Sequence, residues 1–122
     1  MREIKFRAFI KELGEIHDVT SLNFVYGEVF HTYVQSTEEV YYAYKNEFEL
    51  IRYTGLKDVN GREIYEGDIV KCFVKGDSKV IFKYGCFCLE SLRYKNITAF
   101  CDIFGEMEVI GNIYEHSHLL ED

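Results

Sequence analysis

The chain has 122 residues, of which 48% are hydrophobic and 29% charged, a composition typical of a folded domain and too apolar for a disordered chain. Its net charge of −7 argues against sequence-independent binding to nucleic acid, because phosphate neutralisation needs clustered Lys and Arg. No apolar run approaches the roughly 20 residues of a membrane span, and the N-terminus lacks the apolar core of a secretory signal. We therefore predict a soluble cytoplasmic protein with no membrane partner.

The first part of the chain is predicted to be extended. Residues 3–10 alternate apolar and polar side chains, and a turn over 11–15 containing Gly14 should return the chain as a second strand over 16–19. Aromatic and β-branched residues favour further strands on either side of Gly27. These segments predict N-terminal β-hairpins.

A second aromatic segment, Val40–Tyr44, is uncharged and is separated from Phe48–Tyr53 by polar residues 45–47. Two extended segments joined by a short polar turn are typical of a hairpin. We therefore predict that these two segments pair with each other, with a helix over residues 37–44 as the alternative.

Two turn signals dominate the middle of the chain. Asn60-Gly61 predicts a type I′ turn, in which both central residues have positive φ. Glu66-Gly67 fits a type II turn, whose second central position needs the positive φ that Gly reaches most easily. Asp68 is expected to accept backbone N–H groups at this turn. The strand that follows is apolar on most of both faces, which predicts a central strand of a small closed sheet.

The C-terminal part is predicted to continue as strands. Residues 79–84 and 86–90 alternate clearly and should pair as a hairpin. Residues 91–105 are interpreted as a loop plus a short strand. Residues 107–114 are expected to form a closing strand with a bulge or close backbone approach at Gly111.

Three stretches carry a resemblance to a known family: REIKFRAF at residues 2–9, YTGLKDVNGREIYEGDIV at 53–70 and VIGNIYE at 109–115. Together they resemble the YopX family of phage and prophage proteins, closely enough to expect the family's namesake or a near relative. The resemblance implies a protein of unassigned activity, made in a bacterial host, with an SH3-type barrel in its C-terminal half. The chain departs from the family where Asn-Pro often follows the last motif, since it has His116-Ser117 instead.

The expected fold is therefore mostly β. Residues 55–122 are predicted to form a small SH3-like barrel, and residues 1–54 to add β-hairpins that share one core with it. No repeat or low-complexity segment divides the chain.

No residue is predicted to be catalytic, to hold a cofactor or to bind a metal. The four cysteines lack the paired C-x₂₋₄-C spacing of structural zinc sites and are interpreted as reduced, mostly buried thiols: Cys72, Cys86, Cys88 and Cys101. His17 and His31 have no acid, nucleophile or second histidine at a recognisable spacing. His116 and His118 lie beside Glu115 and Glu121 and could hold a metal weakly, but they are interpreted as solvated side chains near the chain end. Asp58-x-Asn60-Gly61 lacks the glycine position and the bidentate Glu of a calcium loop.

Tyrosine is the most suggestive feature of the composition, with 10 Tyr in the chain. Several are predicted to crowd one region together with acidic residues: Tyr33, Tyr41, Tyr42, Tyr44 and Tyr53 with Glu38, Glu39, Glu47 and Glu49. Because Tyr offers a large rigid area with a polar tip, this region suits an interface, although ordinary exposed strand tyrosines explain it equally well. We predict a non-enzymatic interaction protein that forms a homo-oligomer and binds a host or phage protein.

Two other classes of function stay open. A strip of lysines with neighbouring aromatics could bind nucleic acid: Lys71, Lys75, Lys79 and Lys83 with Phe73, Phe82 and Tyr84. The acidic chain could instead mimic DNA and inhibit a host protein. An enzyme acting through Cys72 or Cys88 is the least favoured, because no histidine partner is placed by the sequence.

Overall fold

The computed structural model describes residues 5–25, 28–35, 40–44, 46–72, 76–100 and 107–116. They form eleven strands and no α-helix, so the predicted mostly-β class is confirmed. The strands are β1 Phe6–Ile10, β2 Glu15–Val25, β3 Glu28–Gln35, β4 Val40–Tyr44, β5 Phe48–Lys57, β6 Glu63–Tyr65, β7 Asp68–Cys72, β8 Gly76–Lys83, β9 Cys86–Ser91, β10 Ile97–Ala99 and β11 Met107–Asn112.

The strands make two antiparallel sheets and, within the described residues, no closed barrel. One sheet has the order β4-β3-β2-β1-β5-β6 and the other the order β10-β9-β8-β7-β11. The chain divides between Arg52 and Tyr53 into two compact units, called here the N-terminal and C-terminal units. Strand β5 crosses this division.

The N-terminal unit is built on β1, which lies within the first strand that the alternating pattern predicted. β1 pairs antiparallel with β2 on one side and with the start of β5 on the other. Ala8 and Ile10 are completely buried, with Val19 and Phe48 packed against them. The predicted turn before β2 is present, with φ of +67° at Gly14.

The predicted hairpin between β4 and β5 is wrong. β4 pairs with β3, whereas the first half of β5 pairs with β1, so β4 and β5 are not neighbours in the sheet. Residues 40–44 are also extended and not helical. The alternation of apolar and polar residues that predicts a strand is compatible with any antiparallel partner, so it does not identify the neighbouring strand. Pairing with β1 brings a distant strand against fully buried Ala8 and Ile10, a gain that local sequence does not encode.

The core of the C-terminal unit is a cluster of buried side chains from β6, β7, β8, β9 and β11. It comprises Ile64, Val70, Cys72, Val80, Leu89 and Val109. β7 lies between β8 and β11, and four of its five residues are at least partly buried while Lys71 is exposed. The prediction of an interior strand buried on most of both faces is confirmed, whereas the predicted closure of the sheet is not found among the described residues.

The chain reverses at Asn60-Gly61 as predicted, but the turn type differs. Gly61 has φ of +80°, whereas Asn60 is not among the described residues with positive φ. The Gly61 N–H donates to the Asp58 carbonyl at 3.0 Å, and the Asp58 N–H donates to the Arg62 carbonyl at 2.8 Å. This is a longer loop with one residue of positive φ, because the Asp58 side chain also accepts from the loop backbone.

The turn at Glu66-Gly67 is confirmed. Gly67 has φ of +89°, as the second central position of a type II turn requires. The Tyr65 N–H donates to the Asp68 carboxylate at 2.8 Å, which is the predicted role of Asp68. A Cβ at Gly67 would lie 2.7 Å from Cε2 of Tyr114, so a side chain at this position would force the Tyr114 ring to move.

The predicted hairpin of β8 and β9 is confirmed, with Lys83 paired to Cys86. Its two-residue turn has φ of +56° at Tyr84 and +79° at Gly85, so the type I′ pattern occurs here and not at Asn60-Gly61. β10 is the short strand expected within residues 91–105. The predicted bulge near Gly111 is present, since the β11–β7 register shifts between Val109 and Gly111.

Candidate functional site

The C-terminal unit has a groove of about 530 Å³. It is lined by residues from β5, β9 and β10 and by the residue after β10: Thr54, Gly55, Leu56, Cys86, Phe87, Ala99 and Phe100. Most of these side chains are apolar, and concave apolar surfaces with a few polar groups are typical of binding sites.

A distortion of β5 shapes one wall of the groove. Between the paired residues Tyr53↔Tyr65 and Lys57↔Glu63, β5 has three residues where β6 has one. Gly55 takes φ of +90° at this point. The Thr54 hydroxyl donates to the Ile64 carbonyl at 2.7 Å and accepts the Leu56 N–H at 3.2 Å. These bonds fix the distortion and leave Leu56 45% exposed.

The rings of Phe87 and Phe100 form another part of the wall. Phe87 contacts Phe82 edge to face with ring centroids 5.1 Å apart, and it contacts Phe100 at 6.5 Å. Phe87 and Phe100 also pack against the buried cluster. This wall is therefore continuous with the hydrophobic core, and packing against the core fixes the positions of its rings.

Two cysteine thiols meet at the start of β9. The Cys86 and Cys88 Sγ atoms are 3.7 Å apart, and both thiols donate to the Lys83 carbonyl, at 3.6 and 3.7 Å. Cys86 is exposed and lines the groove, whereas Cys88 is 2% exposed. The structure thus brings together two of the predicted thiols, while Cys72 belongs to the buried cluster. Cys101 lies outside the described residues.

The other residues considered from the sequence are dispersed. His17 contacts the Glu15 carboxylate at 3.2 Å, and the His116 Nδ1 accepts the Asn112 N–H at 3.2 Å. In the ranges the structure describes, no three His, Cys, Asp or Glu side chains are grouped so that they could hold a metal ion. His118 and the side chain of His31 lie outside the described residues.

The lysine strip is only partly described, since Lys75 and Phe73 lie outside the described residues. The Lys79 ammonium lies 3.3 Å from the Glu90 carboxylate on the neighbouring strand. Lys83 lies over the Tyr84 ring, 5.4 Å from its centroid. Tyr84 is 83% exposed and Phe82 40% exposed, so both rings are accessible.

Asp58 has a role that sequence reasoning missed. Its carboxylate accepts the N–H groups of Asn60, Arg62 and Val109, each at 2.9 Å, and so ties the loop before β6 to β11. Burial would raise the pKa of Asp58, but these N–H groups and the Arg62 charge outweigh it and hold the pKa below its usual value. The loop bonds could be foreseen from an Asp two residues before Asn-Gly, whereas the bond to Val109 could not.

Tyr53 also departs from its predicted role as part of an exposed tyrosine region. It is 8% exposed and packs against Tyr65 with ring centroids 5.3 Å apart. Glu49 lies on β5, within 3.8 Å of the Lys11 ammonium. Tyr53 is therefore buried, whereas Glu49 takes part in an exposed ion pair.

The described part of the chain contains no helix of the length and hydropathy that a transmembrane segment needs.

A family model and two solved structures are similar to this chain over nearly its whole length. The family model described as YopX protein matches residues 5–121. Protein EF1440 from Enterococcus faecalis has a similar structure, with a TM-score of 0.70 and 25% identity over 99% of this chain and 100% of that one. YopX from Bacillus subtilis has a TM-score of 0.65 and 22% identity over 97% of this chain and 96% of that one. No curated protein matches.

The family match spans nearly the whole chain and includes the three stretches that first indicated it. At 22% identity, the chain is a relative of the Bacillus subtilis protein and is distinct from it. We conclude that the chain belongs to the YopX family.

Proposed function

We propose that the chain is a non-enzymatic interaction module, encoded by a phage or prophage, that self-associates in the cytoplasm of a bacterial host and binds another protein. The C-terminal residues 55–122 would act as an SH3-like barrel to which N-terminal hairpins are added. Family membership supports this proposal only in part, because the family's activity is unassigned.

The observation that carries self-association is the place of Val40–Tyr44 in its sheet. Within the described residues, this uncharged aromatic segment is β4, the terminal strand of the six-stranded order. A terminal strand has a row of backbone N–H and C=O groups directed away from its only neighbour, and these can pair with another chain. Pairing of two β4 strands about a two-fold axis would satisfy both edges without endless growth.

Light scattering of the full chain over a range of micromolar concentrations tests the proposal. We expect an oligomer mass for the native protein and a monomer mass for Tyr42→Lys, because a charge in an intermolecular strand pair opposes association. Tyr94→Lys is the matched control, since Tyr94 is 70% exposed in a turn of the C-terminal unit. A native protein that is monomeric at every concentration would contradict self-association.

Nucleic-acid binding and DNA mimicry are weaker proposals. The strip that would contact phosphate includes Lys79, whose charge is offset by Glu90 at 3.3 Å. The net charge of −7 also repels phosphate. An enzymatic role for Cys72 or Cys88 also has little support, because Cys72 belongs to the buried cluster and Cys88 is only 2% exposed.

A further inference from the structure

The groove of the C-terminal unit borders the edge of a sheet. Within the described residues β10 is the terminal strand of the five-stranded order, and its last residue, Ala99, also lines the groove. The Ser91 N–H donates to the Asn96 carbonyl at 3.0 Å, and from this bond onward hydrogen-bonded and non-bonded pairs alternate along β9 and β10. Ile97 and Ala99 therefore direct their N–H and C=O groups away from β9. Such groups allow an extended chain to join a sheet as an added strand.

The size and lining of the groove suit a short segment. Leu56, Phe87 and Phe100 give it an apolar surface, and Gly55 has no side chain to keep a bound backbone at a distance. Its seven lining residues are far fewer than the roughly 20–30 residues on each side of a standard interface between folded proteins. The groove therefore fits one or two large apolar side chains of an extended segment and not the face of a folded domain.

Two exposed lysines stand beside the groove without a carboxylate partner. Lys57 directly follows the lining residue Leu56, and Lys83 is paired across the β8–β9 hairpin with the lining residue Cys86. Among the described residues, no carboxylate lies within ion-pair distance of either ammonium, since Glu63, opposite Lys57 in the register, accepts a tyrosine hydroxyl instead. Uncompensated positive charge here, in a chain of net charge −7, favours an acidic partner over a basic one.

We propose that the groove binds an extended acidic segment of a partner protein, which joins the edge of β10 as an added strand. A large apolar side chain of the segment occupies the groove, and acidic residues on either side of it lie near Lys57 and Lys83. Pairing with the β10 backbone supplies affinity, whereas the apolar side chain and the charges select the sequence. The inference rests on the proposed function as a protein-binding module, and it uses no residue of β4, which belongs to the N-terminal unit.

Fluorescence polarisation of two labelled probe peptides with the full chain tests the charge and the binding. Both probes have a central Val-Phe-Val, flanked on each side by two Glu in the acidic probe and by two Lys in the basic probe. We expect saturable binding of the acidic probe, at least about tenfold tighter than that of the basic probe, and no preference for it in the double variant Lys57→Gln, Lys83→Gln. Absence of binding by the acidic probe up to about 1 mM, or equal affinity of the two probes for the native chain, would overturn the proposal.

A pair of variants at similar exposure tests the location. Leu56 is 45% exposed and lines the groove, so Leu56→Ser should weaken binding of the acidic probe at least about tenfold. Val59 is 48% exposed and is not a lining residue, so Val59→Ser is the matched control and should bind as the native chain does. Circular dichroism establishes that both variants are folded. Equal affinities of the two folded variants for the probe would overturn the assignment to the groove.

Hydrogen exchange followed by NMR tests the added strand. The acidic probe should slow exchange of the Ala99 amide at least about tenfold, because its outward N–H gains an acceptor, and unchanged exchange there would overturn strand addition. Leu56→Ser should keep the mass of the native chain in light scattering, whereas Tyr42→Lys should keep its affinity for the probe. A failure of this proposal can thus be told apart from a failure of self-association, and loss of probe binding in folded Tyr42→Lys would overturn the site.

Discussion

Two turn regions of the C-terminal unit form in different ways. In the segment from Asp58 to Asp68, the turns are fixed by side chains and by distant parts of the chain, because Asp58 accepts the Val109 N–H and Gly67 lies against Tyr114. At the β8–β9 turn, Tyr84 is 83% exposed and a Cβ at Gly85 would meet nothing within 4 Å. The first region is held by contacts with distant parts of the chain, whereas the contacts of the second are with residues close in the sequence.

The comparison shows why the type I′ turn formed at the second region and not at the first, where the sequence predicted it. Asn-Gly is the stronger type I′ signal, yet the type I′ φ pattern occurs at Tyr84-Gly85. Three hydrogen bonds to the Asp58 carboxylate are worth more than the preference of one turn type over another. At the β8–β9 turn no carboxylate accepts from the loop backbone in the described residues, and the right-handed twist of the two strands selects the turn.

The largest effect is expected at Gly67. Gly67→Val should lower the free energy of unfolding by about 4 kcal/mol, roughly half from a β-branched residue at positive φ and half from crowding against Tyr114. Urea denaturation followed by circular dichroism measures the change.

Gly61→Val is the matched control for Gly67→Val. Gly61 has φ of +80° and no atom within 4 Å of its ideal Cβ position, so it should lose only about 2 kcal/mol. Equal losses at the two positions would show that contact with Tyr114 contributes nothing, and an unchanged melting temperature in Gly67→Val would refute the turn assignment.

A smaller loss is expected on removing the Asp58 carboxylate. Asp58→Ala should lower the free energy of unfolding by about 3 kcal/mol. The buried Val109 N–H would lose its acceptor, and the two loop N–H groups would exchange a carboxylate acceptor for water. The exposed Asp77 provides a control, since Asp77→Ala should change stability by less than about 0.5 kcal/mol.

The pH dependence of stability gives a second test of Asp58. Because the pKa of Asp58 is held below its ordinary value in the folded protein, its contribution is fully present above that ordinary value and is lost as the pH falls through the folded pKa. The stability difference between the native chain and Asp58→Asn should therefore be constant from about pH 7 to about pH 5 and shrink below about pH 4. A difference that grows on acidification would refute the assigned role.

The smallest effect, of opposite sign, is expected at the exposed turn. Tyr84 has φ of +56°, a region that Asn enters at lower cost than an aromatic residue. Tyr84→Asn creates Asn-Gly at a type I′ position and should raise the free energy of unfolding by about 0.5–1 kcal/mol. Thermal denaturation measures the gain, and a loss of stability would indicate that the Tyr84 ring makes contacts that outweigh the backbone preference.

The amino-acid sequence by itself determined the strands, the turn positions and the family. Alternation, β-branched residues and glycine report local backbone geometry, which is why β1, β7, the β8–β9 hairpin, the Gly67 turn and the bulge near Gly111 were all predicted. The tertiary structure decided which strands are neighbours, because every antiparallel partner satisfies the same alternation, and it therefore placed β4 at an edge and β5 beside β1. It also decided the Asp58–Val109 bond, the groove and the 3.7 Å approach of Cys86 and Cys88. The bond and the groove join residues distant in the sequence, and the approach depends on side-chain orientations that sequence spacing leaves undefined.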